Sequence, residues 1–366
     1  MDLYFLYGVL TGLVPSLHPN NLVDFVNNDY LLEVSIVHSF ISIIPNIYFL
    51  IPDVYSVSSL NASQKLFKER KALLAVFISG IGSFLGGLFS LIFYYFPEVF
   101  YYLNKTNFLL PLIFLIVILN SILTKESFKL KFVTFLLLLN SYSLIELNYR
   151  ETNDLFLPLI GFFGLSSLFI FSLNKIEQET NLLKLLLHSS LDLRKVLFFS
   201  FLGVLLSIPA NVYPLTTPTH FLLFLSLFLE IGFYYSIILV SSMSTADFIL
   251  SLITKEYFGY SRNYVVSFSN FSFDFSNLLL VLSFSLLLLI LIGFIINILT
   301  NILPRKVILI LVFLSIIWPF FLDLNIWKIF TLLISSFLGF LSLKFGIERI
   351  NLFNGYLIWY LLNYYF

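Results

Sequence analysis

Two stretches of the chain carry the residue types from which a chemical site can be assembled. His18, Asn20 and Asn21 gather around Pro15 and Pro19, and His38 and Ser39 lie in the next apolar run. Thr216 and Thr217 follow Pro209 and Pro214, and Ser244, Thr245 and Asp247 come after them. Asp53, directly after Pro52, is a second carboxylate of the same kind. Imidazoles, amides and hydroxyls hydrogen-bond a small anion, while Asp247 and Asp53 are the groups to hold a coupling cation. Each also has a plainer reading. His18, Asn20 and Asn21 would serve equally as a capping loop at a membrane surface, because Asn is a good N-cap. His38 and Ser39 would serve as a helix–helix hydrogen bond. Thr216 and Thr217, with His220, read as a helix cap, and Asp53 and Asp247 as caps near an interface.

Other chemistries find little support. No His-Glu-x-x-His, P-loop or Gly-x-Ser-x-Gly pattern occurs. The histidines stand at 18, 38, 188 and 220, too scattered to make a metal site by spacing. The absence of cysteine excludes thiolate ligands, cysteine nucleophiles and disulfides. No cofactor is implied beyond a coupling Na⁺ or H⁺. An intramembrane enzyme acting on a lipid-linked substrate, with His38 and Asp53 as acid–base groups, stays open as an alternative. So does a structural membrane protein that transports nothing.

The elements that must position these residues are membrane helices. The chain is 59% hydrophobic and 11% charged, less than half the charge of a soluble domain. Mean hydropathy is +0.98. Apolar runs cover residues 3–26, 31–51, 72–96, 108–122, 132–145 and 155–173. After a more polar stretch they resume at 196–229, 231–242, 278–299, 307–322, 326–343 and 352–366. A helix crosses the hydrocarbon layer in about 20 residues, so we expect an all-α integral membrane protein, a polytopic bundle of about 10–12 transmembrane segments. The stretches 56–71 and 248–262 read as surface loops or interfacial helices. Twenty basic residues balance twenty acidic ones, which argues against nucleic acid as a partner. The opening Met-Asp-Leu-Tyr lacks a basic n-region, so no cleaved signal peptide is expected.

Basic residues orient the bundle. The loops at 61–71, 124–131 and 174–195 hold eleven Lys and Arg, against Lys105 and Arg150 in the alternate loops. The first set therefore faces the cytoplasm, and by this segment count the N-terminus does too, in the cell membrane. In the second half the same count puts Lys255, Arg262 and Lys328 inside but Arg305, Lys306, Lys344 and Arg349 outside, a mild violation.

The order of features repeats. Gly8-Val9-Leu10 leads to the prolines at 15 and 19, and Gly203-Val204-Leu205 leads to those at 209 and 214. His38-Ser39-Phe40 is matched by Ser244-Thr245-Ala246. Proline removes a helical hydrogen bond and clashes with the preceding turn, so paired prolines predict Pro-broken helices in both halves. Irregular backbone survives in a bilayer only when buried in protein or lining a cavity, and secondary transporters use paired broken helices of this kind. We read two structural repeats, 1–173 and 196–366, joined by a cytoplasmic linker at 174–195. Six crossings per half would make the repeats parallel. One re-entrant segment per half would make them inverted.

These residues resemble a known family. Gly-Leu-Val-Pro-Ser-Leu-His-Pro-Asn at residues 12–20 is similar to the signature loop of the large permease subunit of tripartite tricarboxylate transporters, the TctA family, in its archaeal branch. His38-Ser39-Phe40, Ile43-Ile44-Pro45 and Ile51-Pro52-Asp53 resemble the next conserved stretch. Ser244-Thr245-Ala246-Asp247 with Phe258-Gly259-Tyr260-Ser261-Arg262 resembles its counterpart in the second repeat. Ser16 stands where the family usually has Gly, and Ser42 where it often has an acid. Ala210-Asn211-Val212-Tyr213 replaces a Gly-rich loop. The resemblance implies a permease, not an enzyme, that moves a di- or tricarboxylate coupled to H⁺ or Na⁺. It also implies two partners, a small membrane subunit and an extracytoplasmic binding protein, which archaeal members often lack.

Overall fold

A segment in a hydrocarbon layer must pair its own backbone groups, and this chain does so by forming helices. In the computed structural model the described residues are 4–14, 17–53, 55–104, 110–123, 125, 127–152, 157–166, 177–187, 189, 191–213, 216–270, 272–322 and 325–364. Pro15, Ser16 and Pro214 lie outside them, as does most of the first part of the expected linker. Among the described residues every regular element is helical and no strand occurs.

The first half holds α1 (Tyr4–Leu13), α2 (Leu31–Ile41), α3 (Ile43–Phe49), α4 (Leu60–Lys68) and α5 (Ala72–Ile92). It continues with α6 (Glu98–Asn104), α7 (Leu110–Leu123), α8 (Phe128–Thr152) and α9 (Leu157–Leu159), which runs into a π-turn at Ile160–Leu165. The second half holds α10 (Leu182–Leu187), α11 (Leu193–Val212), α12 (Pro218–Leu225), α13 (Phe233–Phe258) and α14 (Tyr264–Phe268). It closes with α15 (Phe275–Ile302), α16 (Arg305–Leu322), α17 (Ile326–Lys344) and α18 (Ile350–Tyr364).

Among the described residues seven runs are long and apolar enough to cross a membrane: Leu31–Phe49, Ala72–Tyr95, Phe128–Thr152, Leu193–Val212, Phe233–Phe258, Phe275–Ile302 and Ile326–Lys344. Tyr4–Leu13 and Leu110–Leu123 are shorter apolar helices. The expected segment 3–26 is therefore not a single helix. α2 and α3 form one span bent at Ser42, because Pro45 cannot donate to the carbonyl of Ile41. The expected segment 231–242 does not stop at Ser242. α13 runs on for 26 residues and ends at Gly259, which caps it at φ 71°. Serine and threonine are tolerated there because protein surrounds the helix, and Ser242, Thr245 and Ser251 find partners in it.

Helix directions follow from side-chain contacts. Gly8 packs on Val34 and Val37, and Gly12 on Ile41 and Ser42, so α1 and α2 run parallel. The chain must turn back between residues 13 and 31 to allow this. Likewise Gly203 packs on Leu239 and Ser242, and the Ser207 hydroxyl donates to Met243 O at 3.1 Å, so α11 and α13 are parallel. Gly82 against Ile238 and Gly86 against Ser242 make α5 parallel to α13. Gly80 against Leu286 and Leu289, Gly87 against Leu282, and Gly293 against Val76 make α5 antiparallel to α15. Lipid gives helices no hydrophobic reason to associate, so these close small-residue contacts and the hydrogen bonds beside them hold the bundle.

Bonds between loops sort the chain to two ends. At one end Gln178 donates to Phe67 O at 3.1 Å and pairs with Asn301, Lys65 covers the Phe233 ring, and Asn61 meets Glu348. At the other, Asn270 bonds the Asn28 carbonyl and the Asp29 carboxylate, and Glu256 takes the Phe273 N–H.

Candidate functional site

α13 is the axis of the polar centre, and the whole of its apolar window is buried in protein. Ser244, Thr245 and Asp247 occupy its middle, with Asp247 8% exposed. α2 brings His38 and Ser39 against it. The Ser39 and Thr245 hydroxyls are 3.1 Å apart, the one side-chain bond in the site that joins the same matched motif of the two halves.

Asp247 is held from three sides. Tyr55 Oη donates to Oδ2 at 2.8 Å and Asn211 Nδ2 donates to Oδ1 at 3.0 Å. Asn263, whose own carbonyl oxygen caps α14 by taking the Val265 N–H, also hydrogen-bonds this carboxylate through its side chain. Asn211 lies two residues past Pro209, in the last turn of α11. That helix passes through Pro209, which forfeits the hydrogen bond to the Leu205 carbonyl, and leaves helical geometry only at Tyr213. Thr219 donates to Tyr55 O at 3.3 Å and ties α12 to the same point. Burial, with Asp247 alongside, pushes the Tyr55 phenol well above its usual range, so it acts as a hydroxyl donor.

The first break builds the other side. The His18 and His38 rings meet edge to face at 5.0 Å, and His18 is within electrostatic reach of His38 and Asp53. His18 Nδ1 accepts the Asn20 N–H at 3.2 Å. The expectation that this N–H stays unpaired for a ligand is therefore corrected: the imidazole uses it, in a short 3₁₀ turn at Pro19–Leu22. The side chain of Asn21 lies outside the described residues. His38 is 3% exposed and faces the Thr11 backbone, with no hydrogen bond closed by either ring nitrogen. Asp53 exchanges bonds with Ser56, its carboxylate accepting the Ser56 N–H at 2.7 Å and its own N–H donating to the Ser56 hydroxyl at 2.9 Å, which starts the turn that carries Tyr55.

Between these groups lies a cavity of about 10 Å³, room for one water. Ser39, Ser42, Asp53, Tyr55, Ser241 and Ser244 line it, and the Ser241 and Ser244 hydroxyls have no partner. That space is too small for a carboxylate ligand. Thr216 and Thr217 sit apart from this centre: the Thr216 hydroxyl returns to Tyr213 O, and the Thr217 N–H goes to His220 Nδ1 at 3.0 Å. Their local role is to start α12, with Pro218 at its first position. His220 packs between Phe114 and Phe353. Among the described residues no three acidic or histidine side chains gather to hold a metal ion.

Sequence reasoning missed Tyr55 and Ser251, the second of which hydrogen-bonds Asn211. A tyrosine at the edge of an apolar run reads as an interfacial anchor, and nothing local marks it as a partner of a residue 192 positions away. No family model, curated protein or solved structure matches this chain.

Proposed function

We propose that this chain is a secondary transporter for a small organic anion, a di- or tricarboxylate, driven by H⁺ or Na⁺, in the manner of the tricarboxylate permeases it resembles. The observation that carries the reading is the Ser39–Thr245 bond, which joins the matched polar motifs of the two halves. The polar helices of both halves meet at that point, deep in protein. In this reading His18, Asn20, His38, Ser39, Ser244 and Thr245 receive the anion when the site opens, and Asp247 and Asp53 answer to the coupling ion. Thr216 and Thr217 join them only through the start of α12. A site for a lipid-linked substrate would open sideways to lipid, whereas His38, Ser39, Thr245 and Asp247 are all at most 8% exposed. That speaks for transport over lipid chemistry.

The repeats are read as inverted. In each half a glycine of the first helix packs on a carbonyl of the second and on a Cβ one turn later, Gly8 on Val34 and Val37, Gly203 on Leu239 and Ser242. The long apolar helices α5 and α15, one in each half, then run antiparallel, as does α2 against α13 around Ser39 and Thr245. A two-fold axis in the membrane plane turns a helix over, and an axis along the normal does not. The parallel arrangement rested on a crossing by residues 3–26, which α1 is too short to make. With the Lys65–Lys71 end inside, the start of α1 lies outside, the reverse of the sequence expectation. An accessory membrane subunit and an extracytoplasmic binding protein belong to this proposal through the resemblance alone.

Uptake of labelled citrate and succinate into proteoliposomes, with and without a proton or sodium gradient, tests the function. Gradient-driven accumulation above protein-free vesicles is the expected result. No uptake of either acid under either gradient rejects it.

A further inference from the structure

We infer that Asp247 takes up a proton and not a sodium ion, so that this chain is a proton-coupled carrier. The consequence for transport rests on the function proposed above, but the site itself is argued from its geometry. A sodium ion is held by oxygen lone pairs. Asp247 is ringed by donors: the Tyr55 hydroxyl, the Asn211 amide and the Asn263 side chain. The orientation of Asn211 is fixed, because its nitrogen faces two acceptors, Asp247 Oδ1 and Ser207 O, each at 3.0 Å. Turning its oxygen inward to ligate a cation would set a carbonyl against Ser207 O.

A proton needs no such rearrangement. It adds to Asp247 Oδ2 from a hydronium ion, leaving water, and the carboxylate becomes a carboxylic acid. The Tyr55 hydroxyl, able to donate or accept, then turns from donor to acceptor. The cavity that borders Tyr55 has room for a single water, enough to pass a proton but not a hydrated metal ion.

Among the described residues, other titratable groups stand on the elements packed against α13. α5 brings no titratable side chain to α13, and α11 brings only Arg194 and Lys195 at its far end. α2 brings His38 and, in its first turn, Glu33, and the turn before α4 brings Asp53, which is bonded to Ser56. α12 brings His220, enclosed by aromatic rings. Arg262 is tied to Val212 O, and Lys255, two turns along α13, to Val266 O. α4 brings Lys65, which lies over Phe233 at the end of the bundle, and Tyr264 of α14 is exposed.

Difference infrared spectroscopy of the protein in lipid vesicles, stepped in pH in choline chloride and in sodium chloride, reads the carboxyl directly. We expect a protonated-acid band that titrates, is absent from Asp247→Asn and is the same in both salts. Asp247→Glu should keep the band at a shifted frequency, which guards against a loss caused by misfolding. A band that sodium removes, or no titrating band that these variants alter, overturns the inference. In the uptake experiment a pH gradient should drive accumulation and a sodium gradient should not. Sodium-driven accumulation also overturns it. An intact Asp247 band with no uptake under any gradient leaves the proton site standing and rejects the transport reading instead.

Discussion

At the scale of single residues, two histidines do different work. His220 starts a helix between aromatic rings, while His18 stands against His38 within reach of Asp53. Because His18 Nδ1 accepts the Asn20 N–H, the ring carries its proton on Nε2 and is a neutral donor from that side. His18→Ala should weaken apparent affinity for the transported anion about ten- to hundredfold, the loss of roughly 1–3 kcal/mol from one ionic hydrogen bond. The concentration dependence of uptake measures this, and an unchanged half-saturation value would return His18 to the role of a loop cap. Polar residues set in apolar runs are legible in the sequence, and His18, His38, Ser39, Thr245 and Asp247 are of that kind. Tyr55 is not, because its partner is chosen by the fold. A carboxylate in the middle of α13 needs donors, and only tertiary contact says which hydroxyl supplies one.

At the scale of helices, the bundle depends on how closely α5 approaches α13. A Cβ at Gly86 would stand 2.7 Å from the Ser242 Cα, and one at Gly82 would stand 2.9 Å from the Ile238 Cα. The Ser83 hydroxyl crosses the same seam to Ser241 O at 3.1 Å. Gly86→Ala therefore forces the helices apart and should lower stability by about 1–3 kcal/mol, seen as a lower melting temperature in detergent. An unchanged melt would mean that this seam does not limit stability. The small-xxx-small pattern at Gly82 and Gly86 reads as a packing motif from sequence alone. The length of α13 does not, since Ser244, Thr245 and Asp247 look like an interruption until their partners on neighbouring helices are known.

For the whole molecule, the short α1 decides the topology. A sequence count that lets residues 3–26 cross leaves Arg305, Lys306, Lys344 and Arg349 on the wrong side. In the structure α15 ends beside Gln178 and Phe67, and Glu348 meets Asn61, so these basic residues join Lys65–Lys71 at one end. Lys255 and Arg262 lie at the other, and the charge violation disappears. The chain has no cysteine, so single introduced cysteines can be placed without background. Lys68→Cys and Asn270→Cys should label from opposite faces of sealed vesicles with a membrane-impermeant maleimide, with the cysteine at 68 cytoplasmic. Labelling of both from one face would refute the arrangement. Periodicity and composition made the helices legible. They could not show the chain turning back after α1, because an apolar run looks the same whether it crosses or returns.

The cover over α2 has a consequence for how the protein is made. Nearly every residue of α2 and α3 is buried, yet part of their cover is α15, reached through Tyr48, whose hydroxyl bonds Asn297 at 3.0 Å. A ribosome finishes α2 more than two hundred residues before α15. α13 has no such wait, since α5 and α11 both precede it. During synthesis His38 and Ser39 therefore sit in a helix that has reached the membrane without its eventual neighbour. The insertion machinery must shelter that helix until the second half emerges. A nascent chain stopped after α5 should stay bound to the insertion machinery, and one that extends past Ile302 should be released.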